Sequence, residues 1–153
     1  MKSIFVSYAS ADITHVNSLI AKSTEIFPES LNLWISFQKK DNKPALQPGE
    51  NWKKEINDAI DDSEGAILFV SKSFLNSEII YDFELPLIFE KKKRDNNYKI
   101  YPILVDEADY LSNPYTKDLH FTNSPSTSLE KLTGRKYQLE IEDLSRLVLE
   151  DYK

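Results

Sequence analysis

Residue types that build many common catalytic sites are scarce in this sequence. Its 153 residues include no cysteine, two histidines and three glycines. The absence of cysteine excludes thiol nucleophiles, thiolate metal sites and disulfides, and it fits a reducing cytoplasm. Two histidines, His15 and His120, are too few for a convincing metal cluster, so we expect no metal. The glycines form neither a GxGxxG nor a GxxxxGK pattern, which excludes the dinucleotide-binding dehydrogenases and the P-loop enzymes.

Long apolar runs and an excess of positive charge are also absent. No stretch approaches the ~20 apolar residues of a membrane span, and Met1-Lys2 leads into a strand-like run rather than a signal peptide. The formal net charge of -6 and the pI of about 5.0 argue against nucleic acid as a partner. The exception is the basic run Lys91-Lys92-Lys93-Arg94, which we interpret as a solvated helix end, because cations complement the helix dipole there. We therefore expect neither a membrane nor a nucleic acid as partner.

What is present is the composition of a folded protein, with 41% hydrophobic and 29% charged residues. We predict a single domain over residues 1–153, which could be cut from a longer protein. Short β-branched and aromatic runs predict four buried strands, at Ser3–Ser7, Leu31–Ile35, Gly65–Val70 and Tyr98–Val105. Amphipathic spacing predicts helices from Ser10 or Asp12 to Phe27, from about Glu50 through Ile60, within Phe74–Phe89 and around Ile141–Val148.

The stretch from Asp106 to Thr133 is rich in loops and has little periodicity. After it, Tyr137-Gln138-Leu139 is either a fifth strand or an extended lead-in to the last helix. The alternation of strands and helices predicts a flavodoxin-like three-layer α/β sandwich. Its central parallel sheet is expected to have four to five strands in the order 2-1-3-4-5.

This strand order predicts where a ligand would bind. The crevice lies beyond the carboxyl ends of the first and third strands, at the point where the strand order reverses. Ser7–Ser10 would line one side and Ser71–Phe74 the other, and the segment that carries Glu84 begins there. A receiver-like phosphoacceptor on the same fold would need acidic residues at the strand ends, where this chain has Ser7 and Ser71.

Glu84 is an unusual glutamate in this pattern. It follows Ile80 by four residues and precedes Leu87 by three, so on a helix it shares a mainly apolar face. Pro86 limits how far a regular helix extends upstream, which predicts that Glu84 lies in a first turn. Spacing alone leaves two interpretations open: a helix-cap or salt-bridge glutamate, and a functional carboxylate.

Several motifs occur together in an order that is typical of one family. They are Ile4–Asp12 with its Ser-Tyr and Ser-x-Asp, Pro48–Trp52, the Ser71-x-x-Phe74-x-x-Ser77 pattern, Glu84-Leu85 and Phe121–Pro125. In these features the chain resembles a Toll/interleukin-1 receptor (TIR) domain of the bacterial, NAD-cleaving type, over nearly its whole length.

The chain departs from the family pattern in three places. Ile79–Phe83 stands where members usually carry Trp-Cys, and the interval from Ser77 to Glu84 is one residue longer than usual. The end of the second strand, Trp34-Ile35-Ser36, lacks the acidic residue often found there.

The resemblance implies that Glu84 is catalytic and that NAD+ is a substrate which is consumed, with no cofactor. The expected NAD-binding residues are Ser7, Tyr8, Ser10, Phe37, Ser71, Phe74 and Tyr81. The serines could equally cap helices, and Trp34, Trp52, Phe69 and Phe83 are expected in the core.

The implied activity is NAD+ glycohydrolysis by a cytoplasmic effector of bacterial antiviral defence. Such an effector is activated by self-association and is joined to, or partnered with, a sensor. Two alternatives stay open: an NAD cyclase that makes a cyclic ADP-ribose signal, and an adaptor module without catalysis whose Phe37–Gly49 loop pairs with other TIR domains.

Overall fold

A computed structural model describes residues 1–35, 39–40, 43–44 and 51–152, with the backbone alone for 39–40 and 43–44. The strands are β1 (Lys2–Ser7), β2 (Leu31–Ile35), β3 (Lys39–Lys40), β4 (Lys43–Pro44), β5 (Gly65–Val70) and β6 (Lys99–Leu104). The α-helices are α1 (Ile13–Ile26), α2 (Trp52–Asp62), α3 (Lys72–Leu75), α4 (Leu85–Arg94) and α5 (Gly134–Asp151). Shorter helical turns are Ser10–Asp12, Ile80–Glu84, Tyr110–Ser112, Pro125–Thr127 and Leu129–Lys131.

The main sheet has four parallel strands in the order β2-β1-β5-β6. This is the flavodoxin-like order predicted from the sequence, and β3 and β4 form a separate antiparallel pair. All six residues of β5 are buried, as expected for an inner strand covered on both faces. Gly65 allows β6 and the C-terminal segment to approach, because a Cβ there would lie 2.7 Å from both the Lys99 carbonyl oxygen and the Tyr152 hydroxyl.

Helices cover both faces of this sheet and form two apolar cores. Alternate residues of a strand point to opposite faces. Ile4 and Val6 therefore pack in the core with α1 and α5, whereas Phe5 packs with α2 and α4. The three layers predicted from the alternating pattern are present.

The proposed fifth strand at Tyr137–Leu139 is wrong, because these residues lie inside α5. They form the first turns of a helix that docks on α1, where the Tyr137 hydroxyl lies 2.7 Å from His15 Nδ1. The outer edge of β6 is instead covered by a loop. Thr122 N donates to the Pro102 carbonyl at 2.8 Å, and the Asn123 side chain bonds both the amide and the carbonyl of Leu104. The side-chain amide thus takes the place of a neighbouring strand, which is one way that proteins protect sheet edges.

The basic run ends α4 as predicted, but Lys91 is not simply solvated. Its Nζ donates to the carbonyl oxygens of Ile60 at 3.3 Å, Ser63 at 2.6 Å and Asp61, at the C-terminus of α2. Arg94 adds an exposed ion pair with Asp61 at 3.3 Å. Lys91 therefore caps a neighbouring helix, which sequence spacing within α4 does not reveal. Among the described residues, no helix is both long and apolar enough to cross a membrane.

Candidate functional site

The carboxyl edge of the sheet brings together the ends of β1 and β5, as the predicted strand order requires. Ser7 is the last residue of β1 and Ser71 directly follows β5. Glu84 reaches this edge from the turn that precedes α4. The Ser7 hydroxyl donates a 2.7 Å hydrogen bond to Glu84 Oε1, and neither residue has any exposed surface. A buried carboxylate thus lies at the predicted crevice.

Glu84 ends a π-helical turn, Ile80–Glu84, in which Leu85 N donates to the Ile80 carbonyl five residues earlier. Helical winding is continuous from residue 78 to residue 94, so Pro86 lies inside a helix. Proline has no N–H, and in α geometry its ring would clash with the carbonyl four residues earlier, that of Asp82. The wider turn accommodates this defect. It also absorbs the one-residue excess between Ser77 and Glu84 that the sequence displays.

The π-turn also explains which side chains of this helix are buried. These are Ile80, Glu84, Leu85 and Ile88, while Tyr81 and Asp82 are exposed. In a regular α-helix, a residue five positions after Ile80 would point about 140° away from it. The wider turn returns Leu85 to the inner face, beside Glu84. The additional residue is therefore accommodated on the exposed side of the turn, where Tyr81 and Asp82 lie, and Glu84 remains buried. Its side chain makes no cap hydrogen bond to α4, so the helix-cap interpretation is wrong.

Tyr8 provides a neutral hydroxyl near this carboxylate. It is 1% exposed, and burial, together with the negative charge of Glu84, raises the pKa of Tyr8 to about 12. The phenol is therefore protonated throughout the neutral range and can act as a hydrogen-bond donor at the site.

Asp12 is a buried residue of this edge that is not among the site residues predicted from the sequence. It occupies the N-cap position of α1 but makes no cap hydrogen bond. Instead it accepts a 2.5 Å hydrogen bond from the Ser71 hydroxyl, which in turn accepts one from Phe74 N at 3.0 Å. Burial raises the pKa of Asp12, and the Ser71 hydrogen bond opposes that shift. The pair ties the loop after β1 to the turn after β5. The available signal was the Ser-x-Asp of the first motif.

The other predicted contact residues are dispersed. Phe74 has no exposed surface and belongs to the apolar core, and Ser10 is half-buried in its short turn. Tyr81 is 40% exposed, packs edge-on against Tyr115 and borders a cavity of about 360 Å3 between α3 and residues 109–114. Phe37 lies outside the described residues. The NAD-binding roles of these residues stay predictions.

Two of the aromatic residues expected in the core link elements around the site. Trp52, at the start of α2, meets Phe83 of the π-turn edge-on, with ring centroids 5.8 Å apart. Trp34 stacks on Phe5 at 5.2 Å. Both contacts are packing contacts, as the sequence suggested. Among the described residues, no group of three or more His, Cys, Asp and Glu could hold a metal ion.

The fold and this edge define a flavodoxin-like α/β domain with a buried, hydrogen-bonded carboxylate at its switch point. A family model described as TIR domain matches residues 4–133, and the chain belongs to that family. Among solved structures, it is similar to the TIR domains in the structure of the activated Roq1 resistosome directly recognizing the pathogen effector XopQ. That likeness has a TM-score of 0.54 and 16% sequence identity, and it covers 96% of this chain and 85% of the other. No curated protein matches the sequence.

Proposed function

We propose that this TIR domain is an NAD+ glycohydrolase that cleaves the bond between ribose and nicotinamide, with Glu84 as its catalytic carboxylate. The observation that carries the proposal is the buried Glu84 carboxylate at the switch-point edge, held at 2.7 Å by Ser7. Buried carboxylates are rare unless they are paired or functional, and this one lies where flavodoxin-like folds bind ligands.

The chemistry of the reaction suits one carboxylate. Cleavage of the ribosyl bond develops positive, oxocarbenium-like charge on the sugar, as in glycoside hydrolysis. A carboxylate fixed in a site that excludes water stabilises that charge strongly. Nicotinamide leaves as a neutral base, so no general acid is needed. The protonated Tyr8 hydroxyl is buried near this carboxylate, and it adds a polar group but no second charge to the site.

Access to Glu84 has to be created before the reaction. Its side chain has no exposed surface, so NAD+ can reach it only after the covering residues move. We propose that self-association supplies this change, as part of a cytoplasmic antiviral response started by a sensor domain or partner. The similar TIR domains belong to an activated resistosome, which supports an assembly-dependent activity.

The test is nicotinamide release by concentrated protein, with and without a crowding agent, compared with two variants. Glu84→Gln removes the charge and is expected to abolish release. Glu90→Gln makes the same change at an exposed position six residues further along the helix and should leave release unchanged. Release that survives in Glu84→Gln would show that Glu84 is not catalytic. Identification of ADP-ribose or its cyclic form would distinguish the glycohydrolase from the cyclase.

The second candidate is an interaction module without catalysis. It is favoured by the same resistosome likeness, because those TIR domains are parts of an assembly. No nicotinamide from the wild-type protein in any condition, together with concentration-dependent assembly in light scattering, would favour this candidate over the enzyme.

A further inference from the structure

We propose that Ser7 is a positioning residue that orients the Glu84 carboxylate through Oε1, rather than a residue that binds NAD+. This inference rests on the proposed function of Glu84. It assigns to Ser7 a role different from the substrate contact expected from the sequence.

The hydrogen bond joins two residues that are 77 positions apart and fully buried. Ser7 belongs to β1, which has β2 on one side and β5 on the other, and it pairs with Leu68 of β5. Its backbone is thus fixed by the inner sheet. Glu84 lies at the end of the π-turn on a long side chain with several rotatable bonds. A hydroxyl on an inner strand therefore selects one orientation of a carboxylate whose own side chain could adopt several.

The hydroxyl of Ser7 has one proton to donate, and that proton is directed at Oε1. A serine that bound the substrate as a donor would need this proton for a substrate oxygen, whereas the Ser7 proton is already donated to Glu84. The two roles predict different kinetics. Loss of a substrate contact raises KM, whereas loss of alignment lowers kcat with little change in KM.

A matched pair of variants isolates the hydroxyl. Ser7→Thr and Ser7→Val add nearly the same volume to the buried site, but only threonine retains the donor. We expect kcat for nicotinamide release to be roughly 10- to 100-fold lower in Ser7→Val than in Ser7→Thr, because small misalignments of reacting groups have effects of this size. The KM values of these two variants for NAD+ should agree within about twofold. Equal kcat in the two variants, or a difference confined to KM, would overturn the inference. If valine prevents folding, Ser7→Ala replaces it, with wild type as its reference.

A second measurement does not need activity. A double-mutant cycle of Ser7→Ala and Glu84→Ala, each of which removes the hydrogen bond, followed by urea unfolding, reports whether the two side chains are energetically coupled. Absence of coupling would contradict the hydrogen bond and therefore the positioning role. If the wild-type protein released no nicotinamide but the coupling were present, the proposed function would fail while the contact stood. The inference is supported only when the two side chains are energetically coupled and kcat is also lower in Ser7→Val than in Ser7→Thr. Absence of the coupling, or absence of the kcat difference, refutes it.

Discussion

Replacement of Ser71 with alanine removes a hydroxyl that makes two hydrogen bonds at the carboxyl edge of the sheet. Ser71 Oγ donates to Asp12 Oδ2 at 2.5 Å and accepts from Phe74 N at 3.0 Å. Loss of an N-cap of this kind costs about 1 kcal/mol. Loss of a hydrogen bond to a buried charged group adds about 2 kcal/mol, and Asp12 is only 8% exposed. We therefore expect Ser71→Ala to lower the free energy of unfolding by about 3 kcal/mol at neutral pH.

This loss should depend on pH, because the Asp12 carboxyl group titrates. Burial raises the pKa of Asp12, so the stability contributed by its protonated form is fully present below the unfolded pKa. That contribution is lost as the pH rises through the raised folded pKa. The Ser71 hydrogen bond stabilises the ionised form and partly offsets the loss. The difference between wild type and Ser71→Ala should therefore shrink to about 1 kcal/mol, the capping share, once Asp12 is protonated in both proteins.

The assay is urea unfolding followed by tryptophan fluorescence, at neutral pH and at an acidic pH low enough to protonate Asp12. Asn51→Ala is the control, because Asn51 Oδ1 caps α2 by accepting from Lys54 N at 3.1 Å at an exposed position. The free energy of unfolding of Asn51→Ala should be about 1 kcal/mol lower than that of wild type at both pH values. The reasoning is refuted if Ser71→Ala loses no more than Asn51→Ala at neutral pH, or if its loss does not change with pH.

Two further changes test features outside the site. Lys91→Met removes the cation that caps the C-terminus of α2 and should lower the free energy of unfolding by about 2 kcal/mol in urea, whereas the exposed Lys93→Met should have little effect. Equal losses would contradict the capping role. His15→Gln tests a pH effect, because burial lowers the pKa of His15. The stability that neutral His15 contributes above its unfolded pKa should be lost as the pH falls through its lower, folded pKa. In thermal unfolding, His15→Gln should therefore lose less stability than wild type as the pH is lowered. A plot of stability against pH with the same slope as wild type would contradict this role of His15. The exposed His120→Gln should keep that slope.

The sequence allowed much of the fold to be predicted, because strand and helix periodicities depend on local residue order. The apolar run Gly65–Val70 is a buried inner strand, and the order of the four strands is the one expected. The failure at Tyr137–Leu139 has a tertiary cause. These three residues are too few to show a periodicity of their own. In the structure they belong to α5, and Tyr137 contacts His15 of α1 where the two helices pack together.

The candidate site was only partly predictable. Fold topology led to the edge where Ser7, Ser71 and Glu84 lie, because parallel strands end at a common edge. The spacing of residues in the sequence did not predict which side chains these residues contact. Ser10 or Asp12 was expected to start and cap the first helix, and Asp12 makes no cap hydrogen bond but accepts one from Ser71. Phe74 was expected at the crevice, and it packs in the core.

The sequence by itself determined the class of fold, the family resemblance and the presence of a glutamate near the switch point. It also revealed an excess residue before Glu84 and a proline after it. Only the tertiary structure decided what these features do. The π-turn accommodates the excess residue and Pro86, and it leaves Glu84 against Ser7, 77 residues away in the chain. The reason is physical: periodicity fixes which face of an element is apolar, whereas the partner of a buried polar group depends on how distant elements pack.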